Sequence, residues 1–126
     1  MIAIQTANLT KKYGDIIAIN GVDLEVEAGE IVGCLGPERS GKTTLLRLLT
    51  GLVRPTLGDS TVLGLSSVKE SRKLRAKSGI VTDTAACIGS MSALENLLMF
   101  ASMYGMRKEQ ARTCLLYTSP SPRDLS

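Results

Sequence analysis

The stretch that decides the fold is Gly36–Thr43, which reads GPERSGKT. It satisfies the pattern G-x-x-x-x-G-K-[ST], whose glycines allow successive backbone N–H groups to surround the phosphates of a nucleotide. Lys42 is expected to neutralise phosphate charge, and the hydroxyl of Thr43 is placed to bind Mg²⁺. The candidate nucleotide-binding residues of this stretch are Gly36, Arg39, Ser40, Gly41, Lys42, Thr43 and Thr44.

The flanks of this loop have the setting that the pattern requires. Glu30–Leu35 (EIVGCL) is an almost continuous apolar run, which predicts a strand buried on both faces. After the loop, leucines recur at helical spacing, and Gly51 and Pro55 mark the end of a helix. A strand, a phosphate loop and a helix therefore follow in order. This order alone leaves ATPases, GTPases and small-molecule kinases open.

Shorter signals outline the rest of the chain. Val22, Leu24 and Val26 alternate with acidic residues and predict a half-exposed strand. The segment from Ser92 to Glu95 has the form of a capping box, so a helix is expected to begin there. Weaker patterns predict strands at residues 2–4, 61–65 and 79–82, and a basic helix at residues 69–77.

Composition narrows the class of protein. The 126 residues are 44% hydrophobic and 21% charged, which is typical of a globular domain. The absence of His excludes a histidine base, a Ser-His-Asp triad and a histidine metal site within this sequence. Residues 39–77 carry nine basic and two acidic side chains, which suits a polyanion such as a nucleotide. The run Lys69–Lys77 by itself is more typical of a solvated helix face.

Neither the cysteines nor the apolar stretches indicate a secreted or membrane-spanning chain. The three cysteines form no CxxC pair, and Cys34 is expected to be a small buried residue of the apolar run. The N-terminus lacks the basic start and apolar core of a signal peptide. The longest apolar stretch, near Leu97–Met106, is too short to span a bilayer, so any membrane part is expected on another chain.

Three stretches resemble the N-terminal half of an ABC transporter ATP-binding subunit. They are LTKKYGDIIAINGVDLEVEAGEIVGCLGP (residues 9–37), GKTTLLRLLTGLVRPTLGD (residues 41–59) and LENLLMFASMYGM (residues 94–106). The resemblance covers residues 1–113 and is greatest to exporters of the ABC-2 type. It implies an α/β fold of the P-loop NTPase (ABC ATPase) type that is incomplete, with an N-terminal antiparallel β part, a strand–P-loop–helix core and the start of the helical subdomain.

The resemblance also implies roles for two residues outside the loop. Tyr13 stands where the family has an aromatic ring that stacks on adenine, and packing at a strand end is the alternative. Asp83 aligns with the glutamine of the family's Q-loop, which senses the γ-phosphate and Mg²⁺. A carboxylate can approach a metal but cannot donate as an amide does. Asp83 is therefore a second candidate metal ligand beside Thr43, with a solvated loop aspartate as the alternative.

Glu38 and Arg39 depart from the Asn-Gly that the family usually has in this loop. Glu38 puts a negative charge near the phosphates, at a cost of about 1–4 kcal/mol for a unit pair about 4 Å apart. Arg39 replaces a glycine where a positive φ is expected, which strains a residue that has a Cβ. Arg39 could offset the charge by binding phosphate or by pairing with Glu38.

The C-terminal tail reads differently from the sequence before it. Residues 114–124 (CLLYTSPSPRD) match one reading frame of a transposase library adapter. We therefore expect residues 1–113 to be a partial ABC ATP-binding domain and residues 114–126 to be a disordered tail of adapter origin. No LSGGQ-like stretch and no apolar run ending in Asp-Glu occurs in the sequence. The resemblance thus implies that this chain holds no catalytic residue and is inactive alone.

The functional expectation follows from the resemblance, with ATP and Mg²⁺ as cofactors. The complete parent protein is expected to hydrolyse ATP and so energise transport, export above all, through a separate membrane permease. A second ATP-binding subunit is expected to form a head-to-tail dimer with it. The dimer is expected at the cytoplasmic face of the cell membrane, and no nucleic acid is expected as a partner. A non-transport ABC-type ATPase of translation or DNA repair, another P-loop enzyme, and a nucleotide-binding fragment without activity remain alternatives.

Overall fold

The computed structural model describes residues 1–81 and 87–118, with the backbone alone for residues 116–118. The chain divides into two compact units, Met1–Ile80 and Val81–Ser126. Asp83, one of the predicted metal ligands, lies outside the described residues. No helix among the described residues is long and apolar enough to cross a membrane.

The first unit is built on an antiparallel sheet. Its strands are β1 (Ile2–Tyr13), β2 (Ile16–Glu27), β3 (Leu57–Val62) and β4 (Leu65–Ser66), in the spatial order β2-β1-β3-β4. The alternating residues from Val22 to Val26 lie in β2, and the weak pattern at residues 2–4 opens β1, as predicted. Tyr13 pairs with Ile16 at the hairpin end, where Gly14 turns the chain with a φ of 61°. The antiparallel β part that the sequence predicts is therefore present.

Helix α1 (Lys42–Leu49) packs on this sheet through two neighbouring leucines. Leu48 lies in one buried cluster with Leu9 of β1 and Ile19 of β2. Leu49 lies in a second cluster with Val62 of β3 and with Leu74, which belongs to helix α2 (Ser71–Ala76). Burying side chains of this size contributes about 1.5–3 kcal/mol each, so α1 is held against the sheet along both clusters.

The predicted buried strand at Glu30–Leu35 is wrong for the structure observed. The segment is not a strand. Ile31 and Leu35 are almost fully exposed, and Val32 is more than half exposed. A strand buried on both faces needs hydrogen-bonded neighbours and covering layers, and no strand of the described sheet pairs with this segment. Cys34 is exposed for the same reason, which corrects its predicted burial.

Two shorter strand predictions also differ from the structure. At residues 61–65, Leu63 and Gly64 form a two-residue hairpin turn between β3 and β4, with φ angles of 53° and 77°. This is the type I′ geometry, which reverses the chain where one strand was predicted. Ile80 and Val81 are exposed and form no strand, while residue 82 of that prediction lies outside the described residues.

The second unit contains helices α3 (Ala93–Met103) and α4 (Lys108–Thr118), which contact each other. The predicted capping box begins α3, because the Ser92 hydroxyl accepts a hydrogen bond from the Glu95 N–H at 3.1 Å. Helix α4 runs through residue 113 to Thr118, past the predicted end of the domain. The adapter origin of the tail stays a prediction.

Candidate phosphate-binding site

The loop before α1 contains a tight turn at residues 37–40. The Ser40 N–H donates a hydrogen bond to the Pro37 carbonyl at 3.3 Å, and Arg39, the third residue of the turn, has a φ of 63°. A positive φ at this position is the type II pattern, which favours glycine. The expectation that Arg39 occupies a conformation suited to glycine is therefore confirmed.

Gly36 and Gly41 lie where the loop approaches other atoms too closely for a side chain. A Cβ on Gly36 would lie 2.7 Å from the Ser40 hydroxyl oxygen, so the two ends of the loop approach closely. A Cβ on Gly41 would lie 2.3 Å from the Ala18 carbonyl oxygen, and Gly41 has a φ of 93°. Only glycine fits at position 41, because a side chain would both clash with β2 and adopt a strained φ. The phosphate loop is thereby seated on the β1–β2 hairpin.

The N-terminal end of α1 is open to an anion. Gly41 at the N-cap supplies no side-chain hydrogen bond, and the first turn holds no acidic residue. The first helical hydrogen bond runs from the Leu45 N–H to the Gly41 carbonyl at 2.9 Å. The amides of Lys42, Thr43 and Thr44 precede it, so they have no partner within the helix. Free amides at the positive end of a helix dipole fit phosphate oxygens.

Lys42 folds back over the loop that precedes it. Its ammonium donates hydrogen bonds to the carbonyls of Gly36 and Pro37, the latter at 3.1 Å. These contacts hold the ammonium against the carbonyls at the start of the loop. A nucleotide would exchange two carbonyl oxygens for phosphate oxygens, and a charged acceptor forms a stronger bond to an ammonium than a neutral one. The geometry therefore fits a phosphate-binding lysine.

The predicted role of Thr43 as a magnesium ligand depends on the exposure of its hydroxyl and on the other groups that could share the ion. Its side chain is exposed at the start of α1. Among the described residues there is no group of three or more Cys, Asp or Glu side chains that could hold a metal ion. Mg²⁺ commonly keeps several waters and binds through phosphate oxygens with one or two protein groups, so a single hydroxyl fits a nucleotide-borne ion.

Glu38 and Arg39 are both exposed, and the described part of the chain contains no ion pair between them. Of the two ways in which Arg39 could offset the charge of Glu38, pairing with it is thus not observed. Among the described residues, the Arg39 guanidinium has no carboxylate partner. This leaves it available to a phosphate group.

Tyr13 lies at the end of β1 with 46% of its surface exposed. About half of the surface of this residue is thus accessible to a ligand. It belongs to the same unit as the phosphate loop, and the two are linked through β2, whose Ala18 contacts Gly41. Strand alternation places Lys11 on the same face as Tyr13, and its ammonium lies 5.1 Å from the ring centroid. The sequence reasoning missed Lys11, although the spacing of two residues along a strand could have revealed it.

Comparison with known sequences gives consistent matches. The model of a protein family described as ABC transporter matches residues 19–121 of the chain. The probable multidrug ABC transporter ATP-binding protein YbhF of Escherichia coli (strain K12) is 38% identical over 104 residues, which are 82% of this chain and 18% of the relative. The bacitracin transport ATP-binding protein BcrA of Bacillus licheniformis is 33% identical over 108 residues, 86% of this chain and 35% of the relative. The chain thus spans well under half of the length of either relative.

Solved structures agree with these matches. The dimeric structure of MJ0796, a bacterial ABC transporter cassette, has a TM-score of 0.77 at 31% identity, over 90% of this chain and 54% of that one. A dimeric post-hydrolysis state of the same cassette, bound to ADP and Pi, has a TM-score of 0.74 at 29% identity, over 97% of this chain and 60% of that one. A nucleotide product is therefore bound in a structure that shares this fold.

Proposed function

The chain belongs to the ABC transporter family, and we propose that it is the ATP-binding part of an ATPase that energises export. The observation that carries this proposal is the loop Gly36–Thr43, which runs into an α1 whose first amides have no partner within the helix. Members of this family hydrolyse ATP. The relatives include a probable multidrug ABC transporter protein and a bacitracin transport protein, which supports export as the process served.

Each predicted site residue has a part in this proposal. The backbone of Gly36, Ser40 and Gly41 and the first amides of α1 surround the phosphates, and Lys42 turns from its carbonyl partners to the β- and γ-phosphates. Thr43 ligates Mg²⁺, and Thr44 contributes its amide. Arg39 adds a second cation at the rim of the loop. Tyr13 stacks on the adenine ring, for which its half-exposed surface is suited. Asp83 as a further metal ligand rests on the sequence alone.

Partners and location extend the proposal to the complete protein. A cassette of this fold forms a dimer, so we expect a second ATP-binding subunit to join head to tail. A separate permease would carry the membrane-spanning part, and the ATP-binding chain would lie at the cytoplasmic, inner face of the cell membrane. For the 126-residue chain itself we expect binding without turnover, because its sequence contains no Asp-Glu pair after an apolar run.

The test is a calorimetric titration of the 126-residue chain with Mg-ATP. Lys42→Ala removes a charge-assisted contact, so its affinity is expected to fall about 10- to 100-fold. Lys69→Ala is the matched control, because it removes an equal charge from an exposed position outside Gly36–Thr43, and its affinity for Mg-ATP should stay within about twofold of the unmodified chain. Thermal melts establish that both variants are folded. Unchanged affinity in Lys42→Ala would contradict the proposed site.

A further inference from the structure

Lys11 forms a contact that no part of the proposed function uses. Its ammonium lies over the ring of Tyr13, 5.1 Å from the ring centroid. We propose that Lys11 is a positioning residue for the purine base: it covers one face of the Tyr13 ring and confines stacking of the base to the remaining face. This inference rests on the proposed stacking of adenine on Tyr13 and adds the residue that determines how the base approaches.

The position of the ammonium is set by the backbone. The Lys11 ammonium donates a hydrogen bond to the Arg54 carbonyl at 2.8 Å. The segment that carries this carbonyl is itself tied to β1, because the Thr56 N–H donates to the Thr10 carbonyl at 2.8 Å and the Lys12 N–H donates to the Thr56 hydroxyl at 3.0 Å. Lys11 is half-buried, unlike a freely solvated lysine. The cation is therefore held in one place beside the ring.

The charge suits the role. A cation within about 6 Å of an aromatic ring centroid is attracted to the π-electrons of the ring face. With Lys11 over one face, a base is left the other face of the ring, and 46% of the surface of Tyr13 is exposed. A tyrosine with two open faces could stack a base on either side, whereas this ring offers one approach.

A purely structural role for Lys11 makes a different prediction. If Lys11 only held the segment around Arg54 against β1, its loss would lower stability and would weaken every ligand of the site alike. If Lys11 acts through Tyr13, its loss weakens ligands that carry a base and leaves others unaffected. Inorganic tripolyphosphate has the charge of the nucleotide tail but no base, so it separates the two roles.

The experiment measures the affinities of Mg-ATP and Mg-tripolyphosphate for the 126-residue chain by calorimetry. Lys11→Met keeps the length of the side chain and removes its charge, and Lys11→Arg restores the cation. We expect Lys11→Met to weaken ATP about threefold to fivefold and to leave tripolyphosphate unchanged, with ATP affinity recovered in Lys11→Arg. In a Tyr13→Ala background the same change should have no effect on ATP, because the ring through which it acts is gone.

The outcomes separate this inference from the proposed function. Equal weakening of both ligands by Lys11→Met, or a loss that persists in the Tyr13→Ala background, overturns the positioning role. If Tyr13→Ala weakens ATP selectively but Lys11→Met does not, the stacking stands and the role of Lys11 falls. If Tyr13→Ala leaves ATP affinity unchanged, both the stacking of adenine on Tyr13 and the positioning role of Lys11 are contradicted. The Lys42→Ala titration still tests the phosphate site independently.

Discussion

At the scale of single residues, Arg39 shows how stability and binding can oppose each other. Its φ of 63° costs a residue with a Cβ about 1–2 kcal/mol. Glycine relieves this strain but adds about 0.4–1 kcal/mol of conformational freedom to the unfolded chain. We therefore predict that Arg39→Gly raises the free energy of unfolding by about 0.5–1 kcal/mol in urea denaturation, while ATP affinity falls because a rim cation is lost.

The control for this prediction is the neighbouring residue of the same turn. Glu38 is not in the left-handed region, so Glu38→Gly relieves no strain and should lower the free energy of unfolding by about 0.5–1 kcal/mol. Destabilisation by both changes would show that the turn at residues 37–40 does not have the geometry described. Tighter ATP binding in Arg39→Gly would exclude the phosphate role of Arg39.

Gly41 gives a second prediction at this scale. An added Cβ would lie 2.3 Å from the Ala18 carbonyl oxygen at a φ of 93°. Gly41→Ala is therefore expected to lower the free energy of unfolding by at least about 2 kcal/mol. Gly33→Ala is the matched control, because beyond its chain neighbours no atom of the described residues lies within 4 Å of its added Cβ, and it should change stability by less than about 0.5 kcal/mol. Similar urea midpoints for the two variants would contradict the seating of the loop on β2.

At the scale of elements, one side chain joins α3 to the loop before it. The buried Asn96 amide donates to the carbonyls of Ile88, Met91 and Ser92 at 3.2, 3.2 and 2.9 Å, and its oxygen accepts from the Ile88 N–H at 2.8 Å. A carboxylate at this position would face three carbonyl oxygens without a proton to donate. Asn96→Asp is therefore predicted to cost about 2–3 kcal/mol in a denaturation experiment at neutral pH.

The control is Asn20→Asp, which makes the same chemical change at an exposed position of β2 and should alter stability by less than about 0.5 kcal/mol. Because a protonated carboxyl group can donate one hydrogen bond again, the deficit of Asn96→Asp relative to wild type should shrink as the pH is lowered. An equal effect of the two changes would show that the Asn96 network contributes nothing to the stability of this loop.

Elements that depend on nearby residues could be predicted from the sequence, and elements that depend on distant partners could not. Strand β2 and the capping box of α3 are local patterns, and both are present. The turn at Leu63 and Gly64 has a leucine where type I′ geometry favours Asn. The sequence of residues 61–65 therefore predicts one continuous strand instead of a turn. Glu30–Leu35 has the composition of a doubly covered strand, but this composition produces a strand only when other strands pair with it.

The candidate site divides in the same way. The phosphate loop is a contiguous motif, so its residues and their chemistry could be predicted directly. Other features of the site involve residues that are far apart in the sequence. Gly41 approaches Ala18 of β2, and the position of Lys11 over Tyr13 depends on the anchor at Arg54. The approach of Gly41 to Ala18 requires the loop to fold back on β2, and the anchor of Lys11 requires the path of the chain after α1. Neither is encoded in a local pattern, although the spacing of two residues between Lys11 and Tyr13 along β1 is.

At the scale of the whole molecule, the large apolar side chains differ widely in burial. Leu48 is fully buried between α1 and the sheet, whereas Ile31 is fully exposed. Leu48→Ala is predicted to lower the free energy of unfolding by about 2–5 kcal/mol. Ile31→Ser should change it by less than about 0.5 kcal/mol, because no packed contact is lost. A cost above about 1.5 kcal/mol for Ile31→Ser would show that Glu30–Leu35 is covered in solution.

The central claim is that Gly36–Thr43 binds the phosphates of ATP, and amide chemical shifts test it most directly. The measurement is a titration of the ¹⁵N-labelled 126-residue chain with Mg-ATP, followed residue by residue. We predict that the largest shifts occur at the amides from Arg39 to Thr44, with a second group around Tyr13, and that Lys42→Ala removes the first group. Shifts confined to other parts of the chain, or a pattern that Lys42→Ala leaves unchanged, would contradict the claim.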